Sequence, residues 1–291
     1  MYYIKEFFIT IKKVIKLCWL FVFWKARDLN DYFLIFGYDL KIRLGFNKRV
    51  AAKGFSKQPK IHCVYFTCSK DFEYLLISLK SLERLNLDCL GNVYLYMDKK
   101  DPLNDSQINK LKKELKPNII IRKTKYKGSR AGLGFEVIID YIAKIDSDIL
   151  FISDKIFREA IGGNSDAVGQ GKINLRLAKP FLFMQGGCYF LKGSGVSKVI
   201  RQPVRKAVEK ASGGWRVTIS ICPEDRAISE ILEQSGAKIN FTSKYFPTRG
   251  IHNNNPIDEY LQQYSVIHFT AWSGWKKEQM LEAWEKICKE N

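Results

Sequence analysis

From Gln58 onward the chain alternates short, dense apolar runs with segments whose apolar residues recur every three or four positions. Ile61-His-Cys-Val-Tyr-Phe-Thr67 has the β-branched and aromatic content of a strand. Tyr74 to Leu87 follows, with Leu75, Leu76, Leu79, Leu82 and Leu85 at the spacing of an amphipathic helix. Asn92-Val-Tyr-Leu-Tyr-Met97, closed by Asp98, is a second strand, Gln107 to Leu115 a second helix, and Asn118-Ile-Ile-Ile121 a third strand. Gly132 to Ile145 reads as a further helix running straight into Asp146, with the apolar strand Ile149-Leu-Phe-Ile152 after it. The order β-α-β-α-β-α-β predicts an α/β fold, an open sheet with helices on both faces. Ligands of such sheets bind beyond the carboxyl ends of the strands.

Asp146-Ser147-Asp148 stands at that end. Two carboxylates separated by one small residue, next to a buried strand, need a partner for their charge. A hard divalent cation takes oxygen ligands and can bridge a diphosphate whose charge grows as it leaves. The same three residues are also ordinary on a solvated turn. Other groups carry a similar double reading. Glu224 and Asp225 follow Pro223 at a helix start, where the helix dipole favours carboxylates in any case. His268 ends the apolar run Val266-Ile-His268 and is either a core histidine or a ligand. Arg122 to Arg130 holds five cations in nine residues, a solvated loop or a diphosphate contact through Lys127 and Arg130. Gly128, Gly132 and Gly134 match no phosphate-binding fingerprint. Ile251 to Pro256 reads as a turn, and Trp272 and Trp275 either stack on a sugar or pack the last helix.

In order along the chain, four segments resemble the GT-A nucleotide-sugar glycosyltransferases over about Lys60 to Lys276: the strand and helix around Val64-Tyr-Phe-Thr-Cys-Ser-Lys-Asp71-Phe72, the DxD at Asp146 to Asp148 with the Gly-rich Gln185-Gly-Gly-Cys-Tyr-Phe-Leu-Lys192 after it, Cys222-Pro-Glu224-Asp225-Arg226, and Val266-Ile-His268-Phe-Thr-Ala-Trp272. The pattern is most similar to the Fringe and β-1,3-glycosyltransferase group, and Ser147 is a departure from that group's more acidic metal motif. The resemblance implies a GT-A mixed sheet and a metal, Mn²⁺ or Mg²⁺, on Asp146, Asp148 and His268. It implies a nucleotide-sugar donor, expected to be a UDP-sugar, on Thr67, Asp71, Phe72, Lys127, Arg130 and Asp146. A glycan or lipid-linked glycan acceptor would border Gln185, Gly186, Gly187 and Trp272. Asp225 would be the general base of an inverting transfer, with Glu224 holding the acceptor or Arg226. Retaining families related to glycogenin share the DxD, the Gly strand and the late histidine, so a retaining enzyme stays open. A non-catalytic membrane- or polyanion-binding module on a degenerate version of the fold is the other alternative.

Residues 1–59 differ from residues 60–291. The first sixty hold 13 Lys or Arg and 4 Asp or Glu, so a fifth of the chain carries +9 of the +18 net charge. Tyr2 to Trp24 is helical in pattern, with Ile4, Phe7, Phe8, Ile11, Val14, Ile15, Cys18 and Val22 on one face and Lys5, Lys12, Lys13 and Lys16 on the other. Its uncharged run, Leu17 to Trp24, is eight residues long, against the ~20 needed to span a bilayer. A lysine-faced, aromatic helix of this kind lies in a membrane interface; packing on the catalytic domain is the alternative. Asp31 to Lys53 extends the basic-aromatic character. No recognisable nucleic-acid-binding motif accompanies the charge, so an anionic membrane surface, rather than nucleic acid, is the expected partner. Seven cysteines without a C-x-x-C pair suit a reducing compartment. Together these features predict a peripheral enzyme at the cytoplasmic face of the membrane, working in cell-surface polysaccharide synthesis.

Overall fold

The computed structural model describes residues 60–98, 100–116, 118–123, 141–174, 181–195, 224–242, 244–245, 257–269 and 278–289, together with residue 15. The basic segment 1–59 otherwise lies outside them, as do Lys127, Arg130 and the loop 251–256.

The elements are β1 (Ile61–Thr67), a 3-10 turn (Ser69–Asp71), α1 (Phe72–Arg84), β2 (Leu90–Met97), α2 (Asp105–Glu114), β3 (Ile119–Lys123), β4 (Tyr141–Asp146), β5 (Ile149–Phe151), α3 (Lys155–Gly162), β6 (Ala167–Asn174), β7 (Phe181–Lys192), α4 (Glu224–Gln234), β8 (Ile239–Phe241), α5 (Ile257–Gln263), β9 (Val266–His268) and α6 (Glu278–Lys289). Seven strands form one mixed sheet in the order β3-β2-β1-β4-β7-β6-β8. β1 to β4 run parallel, β7 runs antiparallel to β4 and β6, and β8 is parallel to β6. The order reverses between β1 and β4, which makes the carboxyl edge of that pair the topological switch point where open α/β sheets bind ligands.

Strand alternation divides the core. Ile61, Cys63 and Tyr65 of β1 face Leu75, Leu79 and Leu82 of α1 and Leu111 of α2. Val64, on the other face, packs with Ile228, Ile231 and Leu232 of α4. β5 and β9 form a separate two-stranded antiparallel sheet. Ile149, Phe151 and Val266 join the main core, while Leu150, Ile267 and Phe269 turn to a third cluster with α5 and α6. Two hydrogen bonds tie α1 to this small sheet: the Phe151 N–H donates to Ser81 Oγ (3.0 Å) and the Arg84 guanidinium donates to the Ile152 carbonyl (2.7 Å). Cys63, Cys68, Cys89, Cys188 and Cys288 are free thiols.

One predicted element changes type. Tyr141 to Ile145, expected to close a helix, is strand β4, and residues 132–140 lie outside the described residues. β4 sits between β1 and β7 with both faces covered, and Ile142, Ala143, Lys144 and Ile145 are all buried. A strand buried on both faces loses the apolar-polar alternation that marks a strand in sequence. The acidic pair therefore follows a central strand of the main sheet, and the apolar run after it is the short β5.

Candidate active site

Asp146 is the last residue of β4, and Ser147 and Asp148 make the turn into β5. β1 and β4 are in register with Phe66 opposite Asp146, so Thr67 and Asp146 end neighbouring strands at the switch point. β5 pairs with β9 so that Ile149 lies opposite His268, and the Phe269 N–H donates to the Asp148 carbonyl at 2.9 Å, continuing the ladder by one residue. Residues 120 positions apart in sequence are thereby placed side by side.

The ligand atoms of Asp146, Asp148 and His268 all lie within 4.8 Å of one another. His268 Nε2 stands 3.1 Å from Asp148 Oδ1 and 3.8 Å from Asp146 Oδ2. Two atoms that each bind one Mg²⁺-sized ion at ~2.1 Å are at most ~4.2 Å apart, so a small side-chain rotation brings all three onto a single cation. The donors, two carboxylates and one imidazole, suit first-row divalent ions. The side chains of Asp148 and His268 are 8% and 14% exposed and that of Asp146 is 35% exposed, so the group opens to solvent from the Asp146 side.

Gly187 leaves room for the histidine ring by lacking a side chain. A Cβ built on Gly187 would fall 2.2 Å from His268 Nδ1 and 2.4 Å from Cε1. The register explains the approach: Ile145 of β4 pairs with Cys188 of β7, so the next step places Gly187 beside Asp146. β7 also bulges here. Gly169 and Gly171 of β6 pair with Tyr189 and Met184, which leaves Gln185 to Cys188 of β7 opposite Gln170 alone. Gln185 and Gly186 belong to this bulged strand.

Asp225 is the second residue of α4, and its carboxylate accepts from the Arg226 N–H at 2.9 Å. One turn on, Ser229 Oγ donates to the Asp225 carbonyl (2.7 Å) and accepts from the Met184 N–H (2.9 Å), pinning the first turn of α4 to β7. Because α4 ends at the turn into β8, which runs parallel to β6 from the amino edge, Asp225 lies toward the carboxyl edge. Glu224 is the first residue of the same helix.

Thr67 is buried, and its hydroxyl donates to the Cys68 carbonyl at 3.4 Å. Asp71 closes the 3-10 turn and accepts from Cys68 Sγ at 3.4 Å. Burial, with the Asp71 carboxylate beside it, pushes the Cys68 thiol up to about 11. Phe72 is part of the hydrophobic core, with the Lys110 ammonium 5.5 Å from its ring centroid. Asp101 staples the turn from outside through the Ser69 hydroxyl and, at 3.4 Å, the Lys70 N–H. Lys127, Arg130 and Trp272 lie outside the described residues.

Sequence reasoning missed one residue, Lys144, and the part a second, Gly187, plays beside His268. Lys144, placed inside the expected helix, is buried in β4 with its ammonium 2.5 Å from Asp146 Oδ1. Its signal was a lone charge in an otherwise apolar run, two residues before the aspartate. The packing of Gly187 under His268 had no local signal, because it depends on a strand 80 residues away.

No protein-family model matches this chain, and no curated protein matches it in sequence. Solved structures do match in fold. WbbM, a bifunctional glycosyltransferase, superposes with a TM-score of 0.51 at 11% identity, over 82% of this chain and 53% of WbbM. The galactosyltransferase LgtC, solved with donor and acceptor sugar analogues, matches at 0.47 and 13% identity over 77% of this chain and 95% of its own. GlyE, a glycosyltransferase of Streptococcus pneumoniae TIGR4, matches at 0.49 and 15% identity over 80% of this chain and 63% of its own. The fold is α/β and of the GT-A, Rossmann-like type: a mixed open sheet of seven strands flanked by helices.

Proposed function

We propose that this protein is a metal-dependent glycosyltransferase that moves a sugar from a nucleotide-diphosphate donor to a glycan or lipid-linked glycan. The observation that carries this reading is the convergence of Asp146, Asp148 and His268 at the switch point of the sheet. Mn²⁺ or Mg²⁺ held there would supply Lewis-acid stabilisation of the departing diphosphate. Thr67, which ends β1, and Asp71, just beyond it, are the side of the site assigned to the nucleotide, and a UDP-sugar is the donor we expect. The bulged strand Gln185 to Gly187 is assigned to the acceptor.

Asp225 is assigned the general base. The acceptor hydroxyl attacks the anomeric carbon, its proton passes to the Asp225 carboxylate, and the bond from that carbon to the diphosphate oxygen breaks. Displacement from the opposite face inverts the anomeric centre. Asp225→Asn should leave nucleotide and metal binding near the wild-type level while cutting turnover by about 10²–10⁴. Product anomer by NMR is the companion measurement; a retained configuration would remove Asp225 from the base role and favour a glycogenin-like course.

The excess charge of residues 1–59 supports a peripheral membrane enzyme, acting at the cytoplasmic face in cell-surface polysaccharide synthesis. Among the described residues no helix is long and apolar enough to cross a membrane.

A further inference from the structure

We propose that Lys144 is the built-in counter-ion of the metal site, set so that a divalent cation is held firmly only together with the donor diphosphate. The proposal rests on the reading of Asp146, Asp148 and His268 as metal ligands. Lys144 and Asp146 are two residues apart on one strand and so share a face of the sheet. Lys144 is 4% exposed, and its lateral neighbours in the sheet are Val64 of β1 and Tyr189 of β7. An ammonium so far from water is tolerated only beside an opposite charge. Such a charge is supplied by Asp146, among the described residues, whose Oδ1 lies 2.5 Å from the Lys144 nitrogen.

The pairing has two consequences. It takes up one oxygen of Asp146, leaving Oδ2, the atom 3.8 Å from His268, to face the cation. It also sets the charge of the site. Two carboxylates, one ammonium and a neutral imidazole sum to one negative charge where the ligands alone would give two. Oxygen sites bind divalent ions more tightly as their charge count rises, so this one holds a lone cation poorly. A nucleotide diphosphate brings the missing negative charge to the open side of the site. Metal and donor then bind as a coupled pair, and each must raise the affinity of the other by the same factor. Lys144 is thus a positioning residue, acting on the cation through Asp146.

The test is a titration of Mn²⁺ into the full-length protein, followed by the EPR signal of the free ion, with and without UDP. Wild type should bind Mn²⁺ weakly alone and far more tightly with UDP. Lys144→Met should bind Mn²⁺ alone at least about tenfold more tightly than wild type, because a repelling charge has left the ion's immediate surroundings. Lys144→Arg should stay near wild type. Circular dichroism and thermal melting check the fold, with Lys144→Gln as the second neutral variant should the methionine fail to fold. A folded neutral variant with unchanged or weaker Mn²⁺ affinity would overturn the role of Lys144 and leave the metal site standing. Unfolding of both neutral variants would make the lysine a structural residue and overturn it too. Wild type that binds no Mn²⁺ even with UDP would instead overturn the metal site itself.

Discussion

Gly187 shows how much of the site depends on a single absent methyl group. A methyl there would sit 2.2 Å from His268 Nδ1, far inside van der Waals contact, so the ring must swing away. Gly187→Ala should therefore lower Mn²⁺-dependent nucleotide binding by about 10–100-fold, the usual effect of disturbing a ligand's support. The fold should survive, since β7 keeps its partners on both sides; the check is a Mn²⁺ titration beside a thermal melt. The three residues that the structure brings together, Asp146, Asp148 and His268, were legible in the sequence because DxD and a strand-ending histidine are local patterns. The contacts that orient them were not. Lys144 reaches Asp146 within one strand, yet its burial follows from neighbours on β1 and β7.

At the scale of elements, the type of most strands and helices was legible from periodicity, while the second helix starts at Asp105 rather than at Gln107. Asn104-Asp-Ser-Gln107 is a capping box: the Asn104 side chain accepts from the Gln107 N–H at 2.9 Å, and the Gln107 side chain accepts from the Asn104 N–H at 3.0 Å. Asn104→Ala should cost about 1 kcal/mol in chemical denaturation. Gln107 also donates to the Ser69 carbonyl at 3.1 Å, so α2 braces the turn that carries Asp71. Asp101 braces it from the other side, and the Ser69 hydroxyl donating to its carboxylate holds that group below the usual carboxylate range. A carboxylate whose affinity for protons is lower in the folded state stabilises the fold above its unfolded pKa of about 3.9, and loses that contribution as pH falls through the folded value. The melting-temperature gap between wild type and Asp101→Asn should accordingly be constant from neutral pH down to about pH 5 and close on further acidification. A gap that widened in acid would contradict this staple. β4 is the counterexample at this scale: an Ala and a Lys among apolar residues gave no strand signal, and the sheet on either side decided its conformation.

For the whole molecule, the succession of strands and helices foretold an open α/β sheet. It did not foretell the antiparallel β7 or the small β5-β9 sheet, because pairing across long sequence separations has no local signature. The charge asymmetry belongs to this scale as well. Deleting residues 1–24 should release the protein from anionic vesicles, since each lysine near such a surface contributes about 1 kcal/mol. Turnover on a soluble acceptor fragment should persist, because every assigned site residue lies beyond residue 60. Salt should weaken vesicle binding of the intact protein only in part, as screening reaches the lysines but not buried aromatics. Early melting or aggregation of the truncated protein would show that this segment packs on the catalytic domain instead. The central claim, that Asp146, Asp148 and His268 hold a cation that binds a nucleotide diphosphate, is tested most directly by thermal shift with UDP and GDP in Mn²⁺ or in EDTA. A ligand that binds only the folded state raises its melting temperature. The account predicts a rise for the wild type only when nucleotide and Mn²⁺ are both present, and none for Asp148→Asn or His268→Ala. An equal rise in EDTA, or an undiminished rise in either variant, would contradict it.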